Sequence, residues 1–434
     1  MAEPQTPAPA LVHLADLTGH TDRAWSLAWN PRLPLLASCS SDKDVHLHSF
    51  ALPDGDSAAS GSAASSRPRF SLRETVPTGH TRTVRSVAWA PSGRTLATAS
   101  FDSTVGIWER VADVNAATAR QARNEGRELD ALRLELGPYP EEGPEWDCIG
   151  TLEGHESECK DVKFSRNGDT LASCSRDKSV WVWEVQPDAE FECLSVLMEH
   201  TQDVKCVAWH PRDELLASAS YDDNIKLYLD DPSDDWYCFS TLSGHTSTIW
   251  SIAFSPCGTY LASASADCTV RLWRRLSADE AEARGLKVEG RMPGRPGEKW
   301  VCVEVLKGWH ERCIYSVSWG HGEGIGRLAS AGGDGRICVF SVLPSESADS
   351  LTPRTTLIAQ TDRAHGDSDV NCVAFAPATL ASANADISSD APGRFEELDA
   401  EGVRLGERGM ADMLASAGDD GEVRVWAVPG GVWK

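Results

Sequence analysis

The 434-residue sequence has no run of roughly 18 consecutive apolar residues, the length that a membrane-spanning helix needs. Its first ten residues lack the basic and apolar regions of a secretory signal peptide. Basic residues are also scarce, since 41 Lys and Arg stand against 65 Asp and Glu and the formal net charge is -24. Such a charge repels phosphate backbones and anionic lipid. We therefore expect a protein of the cytosol or nucleus that binds neither nucleic acid nor membrane directly.

Short metal-binding and catalytic motifs are missing as well. The sequence contains no Cys-x-x-Cys pair, His-Glu-x-x-His motif, phosphate-binding glycine loop or nucleophile elbow. Three cysteine pairs are each eleven residues apart, namely Cys148/Cys159, Cys257/Cys268 and Cys302/Cys313. The thirteen cysteines are odd in number and many lie in apolar runs, which is typical of reduced, buried side chains. We predict no disulfide framework, no metal site and no cofactor.

What is present is a sevenfold repeat. A histidine, usually after glycine, precedes an alternating apolar run at His20, His80, His155, His200, His245, His310 and His365. An aspartate follows the first five histidines at 22 residues, the sixth at 24 and the seventh at 55: Asp42, Asp102, Asp177, Asp222, Asp267, Asp334 and Asp420. A second apolar run ends six residues past each aspartate, at His48, Trp108, Trp183, Tyr228, Trp273, Phe340 and Trp426. This regularity indicates seven copies of one structural unit.

Each unit has the period-two alternation of short strands, as at residues 84–89, 95–100 and 104–108 of the second unit. The Gly-His start, the Trp after the Asp and the unit length resemble the WD-repeat family, in which each unit forms one blade of a β-propeller. This resemblance predicts an all-β fold, a single seven-bladed WD-repeat β-propeller over residues 1–434 with four antiparallel strands in each blade.

In that family the His, the Asp, a Ser on the second strand and the Trp form a hydrogen-bonded tetrad inside each blade. The resemblance implies complete tetrads in blades two, three, five and seven. Their members are His80, Asp102 and Trp108; His155, Asp177 and Trp183; His245, Asp267 and Trp273; and His365, Asp420 and Trp426. Blades one, four and six lack the Trp, and we expect them to depend more on packing than on the polar network. A hydrolase triad is the alternative interpretation, but seven copies at fixed spacing favour a structural role.

Only eight residues follow Trp426, too few for the outer strand of blade seven. We expect residues 11–17 to supply that strand and close the ring, which removes an exposed sheet edge. Of two competing second strands in this blade, residues 380–386 and 414–420, the latter is favoured because a third strand follows it directly.

The remaining length is predicted to form insertions on one face, the bottom face, opposite the His and Asp loops. They are residues 52–69, 111–145, 277–298, 344–354 and 378–412. The first and third have the composition of disordered linkers. Residues 116–135 could form an amphipathic helix with Leu129, Leu132 and Leu136 on one side, the alternative being a solvated helix that merely fills a long loop.

The end of the propeller that carries the His and Asp loops is called here the top face. Five residues after the first six histidines, at the predicted mouth of the central channel, stand Arg85, Lys160 and Lys205 in blades two to four and Trp250, Tyr315 and Trp25 in blades five, six and one. Blade seven carries one extra residue, which makes Asn371, six residues after His365, the equivalent position. The residue before the Asp adds Phe101, Arg176 and Tyr221. We predict that the mouth binds a peptide with acidic and aromatic groups. Alternatively, these side chains pack between blades or pair with Glu156, Glu158 and Asp223.

Longer segments resemble the WD-repeat subunits of the cytosolic iron–sulfur protein assembly machinery, most strongly in blades three and four. They are residues 171–185, 192–196, 200–211, 215–228 and 369–375. The resemblance implies a non-catalytic scaffold, a monomer within a targeting complex, that helps to deliver preformed clusters to cytosolic and nuclear apoproteins and holds no cluster itself. It also implies a partner-binding role for Arg176. The insertions at 111–145 and 378–412 exceed the connections usual in that family.

Two other functions are known for propellers of this kind. A substrate receptor or adaptor of a ubiquitin-ligase or chromatin complex is the alternative binding function, but its usual Trp-Asp-x-Arg signature is missing from the segments that begin at Trp108 and Trp183. A propeller hydrolase is the alternative from the enzyme class. It is disfavoured because no catalytic set stands apart from the repeat. We therefore predict that the protein is not an enzyme.

Overall fold

A computed structural model of the chain describes residues 8–52, 67–110, 146–186, 191–231, 235–347, 349–378, 410 and 412–430. In these residues seven antiparallel sheets of four strands and one short helix are present. The innermost strands of neighbouring sheets pack against one another around a ring, so the prediction of a seven-bladed β-propeller is confirmed. The single helix that these residues contain is too short to cross a membrane.

The strands of the N-terminal half run from the terminus to the end of blade three. They are β1 (Val12–Leu17), β2 (Ala24–Trp29), β3 (Leu35–Ser40), β4 (Asp44–Ala51), β5 (Arg69–Pro77), β6 (Val84–Trp89), β7 (Thr95–Ser100), β8 (Val105–Arg110), β9 (Trp146–Leu152), β10 (Cys159–Phe164), β11 (Thr170–Ser175), β12 (Val180–Val185) and β13 (Phe191–Leu197).

Blades four to seven contain the remaining strands and the helix. They are β14 (Val204–Trp209), β15 (Leu215–Ser220), β16 (Asn224–Asp230), β17 (Trp236–Ser243), β18 (Ile249–Phe254), β19 (Tyr260–Ser265), β20 (Thr269–Ser277), α1 (Ala278–Ala283), β21 (Glu298–Lys307), β22 (Ile314–Gly320), β23 (Gly326–Gly332), β24 (Ile337–Leu343), β25 (Arg354–Thr361), β26 (Val370–Phe375), β27 (Met413–Gly418) and β28 (Val423–Ala427).

The seventh blade joins the two ends of the chain. Six sheets contain four consecutive strands each, but the seventh has the order β26-β27-β28-β1. β1 pairs antiparallel with β28, with Val12 opposite Ala427 and Leu17 opposite Val423. Leu14 and Leu17 pack in the core of the same blade. The ring is therefore closed by backbone hydrogen bonds and apolar packing together. The competing second strand at residues 380–386 lies outside the described residues.

The second strand of each blade lies at the centre of the core, with strands on both edges and blades on both faces. β3 and β15 are buried at all six positions, so they lack the alternation of a half-exposed strand. Their Ala and Ser residues let neighbouring sheets approach closely. The Ser hydroxyls are satisfied, as when Ser220 donates to the carbonyl of Asp203 and accepts from the N–H of Asp222. A buried hydroxyl without such partners would cost about 1–3 kcal/mol.

A histidine in every blade is held at both ring nitrogens. Nδ1 donates to the aspartate of the same blade over 2.8–3.1 Å. Nε2 accepts from the second-strand hydroxyl over 2.7–2.9 Å, and in blade two this hydroxyl belongs to Thr98. In blades two, three, five and seven the indole N–H of the tryptophan completes the tetrad by donating to that hydroxyl.

The polar network persists in the blades that lack the tryptophan, where a greater dependence on packing was expected. In blade four, His200 bonds Asp222 and Ser218, and the Ser218 hydroxyl is 3.2 Å from the hydroxyl of Tyr228. Burial is the largest single effect and opposes ionisation of Asp222, but the hydrogen bond and charge of His200, together with two backbone N–H groups, lower the pKa of this carboxyl to about 2. Blades one and six lose only the bond from the fourth residue.

A buried carboxylate links the three blades that carry the basic side chains of the mouth. Asp161 on β10 accepts from the hydroxyl of Ser86 on β6 over 2.6 Å and from the N–H of Val207 on β14 over 3.1 Å. The ammonium of Lys163 lies 2.7 Å from the same carboxylate. A satisfied buried network of this kind holds neighbouring strands in one arrangement. It therefore fixes the strands that carry Arg85, Lys160 and Lys205 relative to one another.

The bottom-face insertion at residues 277–298 is ordered, so the prediction of a disordered linker is wrong. Helix α1 begins at a capping box, in which Ser277 accepts from the N–H of Glu280 and the Glu280 carboxylate accepts from the N–H of Ser277. The carboxylate of Glu298 is buried and receives hydrogen bonds from Arg275, Arg295 and the indole of Trp300. These charged groups pair across the insertion and fold it back on the sheet.

The other insertions connect the third and fourth strands of blades one, two and six, or the first and second strands of blade seven. Most of residues 52–69 and 378–412, and all of 111–145, lie outside the described residues. The predicted helix at 116–135 lies there too. Of residues 344–354, all but residue 348 are described, and they form turns without a helix before β25 begins.

The cysteines are all free, but the prediction that they are buried is wrong for those on the rim strands. Cys148, Cys193 and Cys302 are exposed. Each lies at a β-bulge of an outer strand, opposite the tetrad tryptophan. Their thiols point at backbone carbonyls two residues further on, those of Gly150, Ser195 and Glu304. These three cysteines therefore occupy one fixed position of the repeat, and burial of an apolar side chain does not explain their location.

Removal of residues 1–18 should destabilise the whole ring. β1 buries Leu14 and Leu17, with Leu11 beside it, and burial of each leucine is worth about 1.5–3 kcal/mol. Their sum approaches the 5–15 kcal/mol that stabilises a typical domain. We expect loss of the cooperative urea transition, measured by circular dichroism. Removal of residues 1–7, which precede the strand, is the control and should leave the midpoint unchanged. A 1–18 deletion that unfolds like the full chain contradicts closure by β1.

The two buried histidines on β4 of blade one should make the free energy of unfolding fall as the pH drops from 6.5 toward 4. Burial lowers the pKa of His46 and of His48 to about 4, from an ordinary 6.5. The unfolded chain therefore binds protons in this window that the fold excludes. At pH 5 each ring should remove about 2 kcal/mol of unfolding free energy relative to pH 7.5.

His48→Trp restores the tetrad tryptophan and removes one of the two buried rings. We expect it to recover about 2 kcal/mol of the loss at pH 5, measured by urea unfolding. Between pH 7.5 and 8 the unfolding free energy of the variant and that of the original chain should change little and by the same amount. Equal losses at pH 5 in both proteins would contradict the assignment of acid sensitivity to His48.

Candidate functional site

The tetrads hold the loops of the top face in place. Each aspartate also accepts from the N–H of the residue after the histidine, as Asp102 does from Thr81. In blades one to five the residue after the Asp has a positive φ of 62–79°, although none is glycine: Lys43, Ser103, Lys178, Asp223 and Cys268. This backbone region is unfavourable for such residues and persists only where the surroundings impose it. The side chains before the Asp are therefore presented from a rigid turn.

The mouth of the channel is a cavity of about 320 Å³. All seven residues five or six positions after the histidines line part of it or its entrance, together with Phe101. Its lining consists of Arg23, Trp25, Arg85, Phe101, Lys160, Lys205, Trp250, Tyr315, Asp369, Asn371 and Asp419. The structure thus brings together seven of the nine predicted partner-binding residues.

Cations stack on aromatic rings within the mouth. The guanidinium of Arg85 lies 4.8 Å from the ring centre of Trp25, and the ammonium of Lys205 lies 5.1 Å from that of Trp250. These two contacts mark the borders between the basic blades two to four and the aromatic blades. Lys160 lies 4.0 Å from the ring of Phe101. Contacts of this kind are worth about 0.5–2 kcal/mol each and hold flexible basic side chains in place before a ligand arrives.

Arg176 and Tyr221 lie beside the mouth and not in it. They line a second hollow of about 250 Å³ on the top face of blades three and four, with Glu158, Lys160, Gln202, Asp203 and Lys205. Their side chains are well exposed, with Arg176 at 57% and Tyr221 at 56%. Lys160 and Lys205 border both cavities. The single site that was predicted is therefore two adjoining hollows with a shared basic wall.

Glu158 partly neutralises this wall. Its carboxylate lies 2.9 Å from the ammonium of Lys160, 3.0 Å from Arg82 and 3.4 Å from Arg176. Burial opposes ionisation of Glu158, but these hydrogen bonds and charges, led by Lys160, lower its pKa to about 2. The alternative that the basic residues pair with neighbouring carboxylates is thus realised at Glu158. Arg176 keeps most of its guanidinium exposed beside this pair.

The sequence predicts Glu158 only as an alternative pairing partner, and Arg23, Asp203, Asp369 and Asp419 were missed. Glu158, Asp203 and Arg23 stand three residues after their histidines, and Asp369 occupies the same place in blade seven. This position precedes the mouth position by two residues, just before the inner strand, and its side chains line one or other of the two hollows. A comparison of this position around the ring would have found them. Asp419, before Asp420, pairs with Arg23 at 3.4 Å.

A cluster of His20, Asp42 and His46 in blade one has enough ligand atoms for a metal ion, but its geometry is unsuitable. The rings of His20 and His46 are stacked, with centres 3.9 Å apart and planes within 3° of parallel. An ion must lie near the plane of each imidazole about 2 Å from its nitrogen, and no point satisfies this for two stacked parallel rings. Both ring nitrogens of His20 are also occupied by Asp42 and Ser38.

Comparison with known proteins shows two kinds of similarity. The family model of the WD domain, G-beta repeat, matches residues 11–49, 72–109, 146–184, 191–228 and 236–274. The probable cytosolic iron-sulfur protein assembly protein 1 of Mycosarcoma maydis is 62% identical over 98% of this chain and 95% of its own length. The protein of that name from Malassezia globosa is 55% identical over 82% and 93%, and that from Aspergillus niger is 36% identical over 98% of each chain.

Proposed function

Since the chain belongs to the WD-repeat family of cytosolic iron-sulfur protein assembly protein 1, we propose that it is a non-catalytic scaffold of cytosolic iron–sulfur protein assembly. Family membership carries this proposal, because the similarity to the Mycosarcoma maydis protein extends over 98% of the chain. The scaffold acts in the cytoplasm, where it holds other subunits of the assembly machinery and iron–sulfur apoproteins together. The clusters are cargo that passes between its partners.

The buried tetrads support a role without catalysis. A hydrolytic triad needs an exposed nucleophile beside a free base. In all seven blades the second-strand hydroxyl is fully buried and is bonded to the histidine. The histidine is bonded to the aspartate at its other nitrogen. Each set is therefore committed to the fold and offers no group to a substrate.

The two hollows of the top face support a role in docking. We assign the mouth to a peptide with acidic and aromatic groups, and the side hollow with Arg176 and Tyr221 to the same partner. Five basic residues, Arg23, Arg85, Lys160, Arg176 and Lys205, line these hollows in a protein of net charge -24. Carboxylates bind such groups by charge-assisted hydrogen bonds, and aromatic side chains can stack beside Trp25, Trp250 and Tyr315. The stacked cations make the site rigid before binding.

Affinity purification from the native cytosol, followed by mass spectrometry, tests the pathway. We expect the chain to recover iron–sulfur assembly factors and iron–sulfur apoproteins, and Arg176→Glu to deplete some of them. Arg94→Glu, an exposed residue of the bottom face between β6 and β7, is the matched control and should recover them all. Recovery of ubiquitin-ligase or chromatin subunits in place of assembly factors would contradict the proposed pathway.

Binding of synthetic peptides by isothermal titration calorimetry tests the mouth itself. A peptide with Asp, Glu and Trp residues should lose about ten- to a hundredfold in affinity for Arg85→Glu, since a hydrogen bond to a charged group is worth about 1.5–3 kcal/mol. Glu158→Gln should bind it more tightly, because that change frees Lys160 and Arg176. Equal affinities for the original chain, Arg85→Glu and Arg94→Glu would refute an acidic ligand at the mouth.

A further inference from the structure

The rim of blade three exposes an unusual concentration of apolar side chains. Among the described residues six large hydrophobic side chains are exposed, and three of them lie on β13 or directly after it. They are Leu194 at 43%, Val196 at 42% and Met198 at 71%. Solitary exposed apolar residues are common, but neighbours on one strand form a surface that water solvates poorly.

These side chains form one ridge on the side of β13 that faces blade two. Leu197 packs with Trp236 of blade four, so the alternate residues Val196 and Met198 point the other way. Val196 is paired across the sheet with Trp181, a half-buried ring against which Gly154 packs, in the loop between β9 and β10. Leu194 lies at the bulge between Cys193 and Ser195. The blade-three ridge is defined here as Trp181, Leu194, Val196 and Met198.

Acidic residues predominate around the ridge, and Lys178, in the turn before β12, is an exposed basic exception. The exposed charged residues of β9 and β13 and of the two residues that follow each strand are Asp147, Glu153, Glu192 and Glu199. A second copy of this chain, with the same acidic border and a net charge of -24, would be repelled. The insertion at 111–145, which joins β8 to β9, has eight acidic and four basic residues, so its charge does not complement this acidic border either. A partner with basic residues is complementary to it.

We propose that the blade-three ridge is a docking site for one amphipathic segment of a partner protein, whose apolar residues are flanked by Lys or Arg. The size of the ridge supports a single segment, because three side chains and one partly covered ring present far less than the roughly 800 Å² per partner that a standard interface buries. Such a segment would contact the rim, away from the top face. This proposal therefore goes beyond the scaffold role proposed above and does not depend on binding at the mouth.

Methyl NMR of the full-length chain tests this proposal, because Met198 is one of only five methionines. Its signal is assigned with Met198→Leu. The probe is a synthetic peptide of about 14 residues with a leucine stripe between lysine flanks, compared with the same peptide carrying Glu in place of Lys. We expect the Met198 methyl signal to shift with the basic peptide and not with the acidic one. The signal of Met292, in the blade-five insertion, should not move.

Two matched lysine substitutions separate docking from general attraction to an acidic protein. Val196→Lys should weaken the basic peptide at least fivefold, whereas Val305→Lys, at another exposed valine on rim strand β21, should change its affinity less than twofold. No shift of Met198, equal shifts of Met198 and Met292, or equal effects of the two lysines would overturn the proposal. It would also be overturned if the free chain's Met198 signal changed with protein concentration or on deletion of residues 111–145, since a second copy or that insertion would then cover the ridge.

Discussion

In each blade a histidine has both ring nitrogens occupied, with Nδ1 donating to an aspartate and Nε2 accepting from a buried hydroxyl. These two bonds join three places that are distant within the unit: the loop before the inner strand, the buried second strand and the turn before the third strand. Because the groups are buried, loss of any one leaves the others unsatisfied, at about 1–3 kcal/mol each. The top face depends on this arrangement. Its turns include five residues with positive φ, a conformation that needs such support.

Ring closure is the second constraint, because it converts seven marginal sheets into one cooperative structure. Each blade buries its faces against two neighbours, so a missing strand in one blade exposes the next. The pairing of β1 with β28 supplies that strand from the other end of the chain. Rigid loops and a closed ring together let basic and aromatic side chains from six blades meet in one mouth of about 320 Å³. Docking on such a surface costs little ordering of the scaffold.

The repeat made most of this fold predictable, because its signals are local. Strands β6 and β7 have the bounds that alternation predicts, 84–89 and 95–100. The histidine spacing also located the mouth residues, since each follows its histidine by five or six residues at the start of an inner strand. The predictions failed for residues whose position in the repeat does not determine which side chains surround them. Phe101 and Arg176 both precede the aspartate of their blade on a turn, yet Phe101 lines the mouth and Arg176 lies in the side hollow. The order of residues 277–298 depends on Glu298 and its two arginines, whose approach composition does not reveal.

We propose above a scaffold without a cluster of its own that promotes cluster delivery through contacts on its top face. The most direct test is incorporation of radioactive iron into a cytosolic iron–sulfur apoprotein, in cells whose own copy of this protein is replaced by the chain or by an Arg85→Glu, Arg176→Glu variant at equal abundance. We expect incorporation with the original chain, at least a severalfold loss with the variant, and an undiminished urea midpoint for the variant protein. Full incorporation with the variant would contradict it.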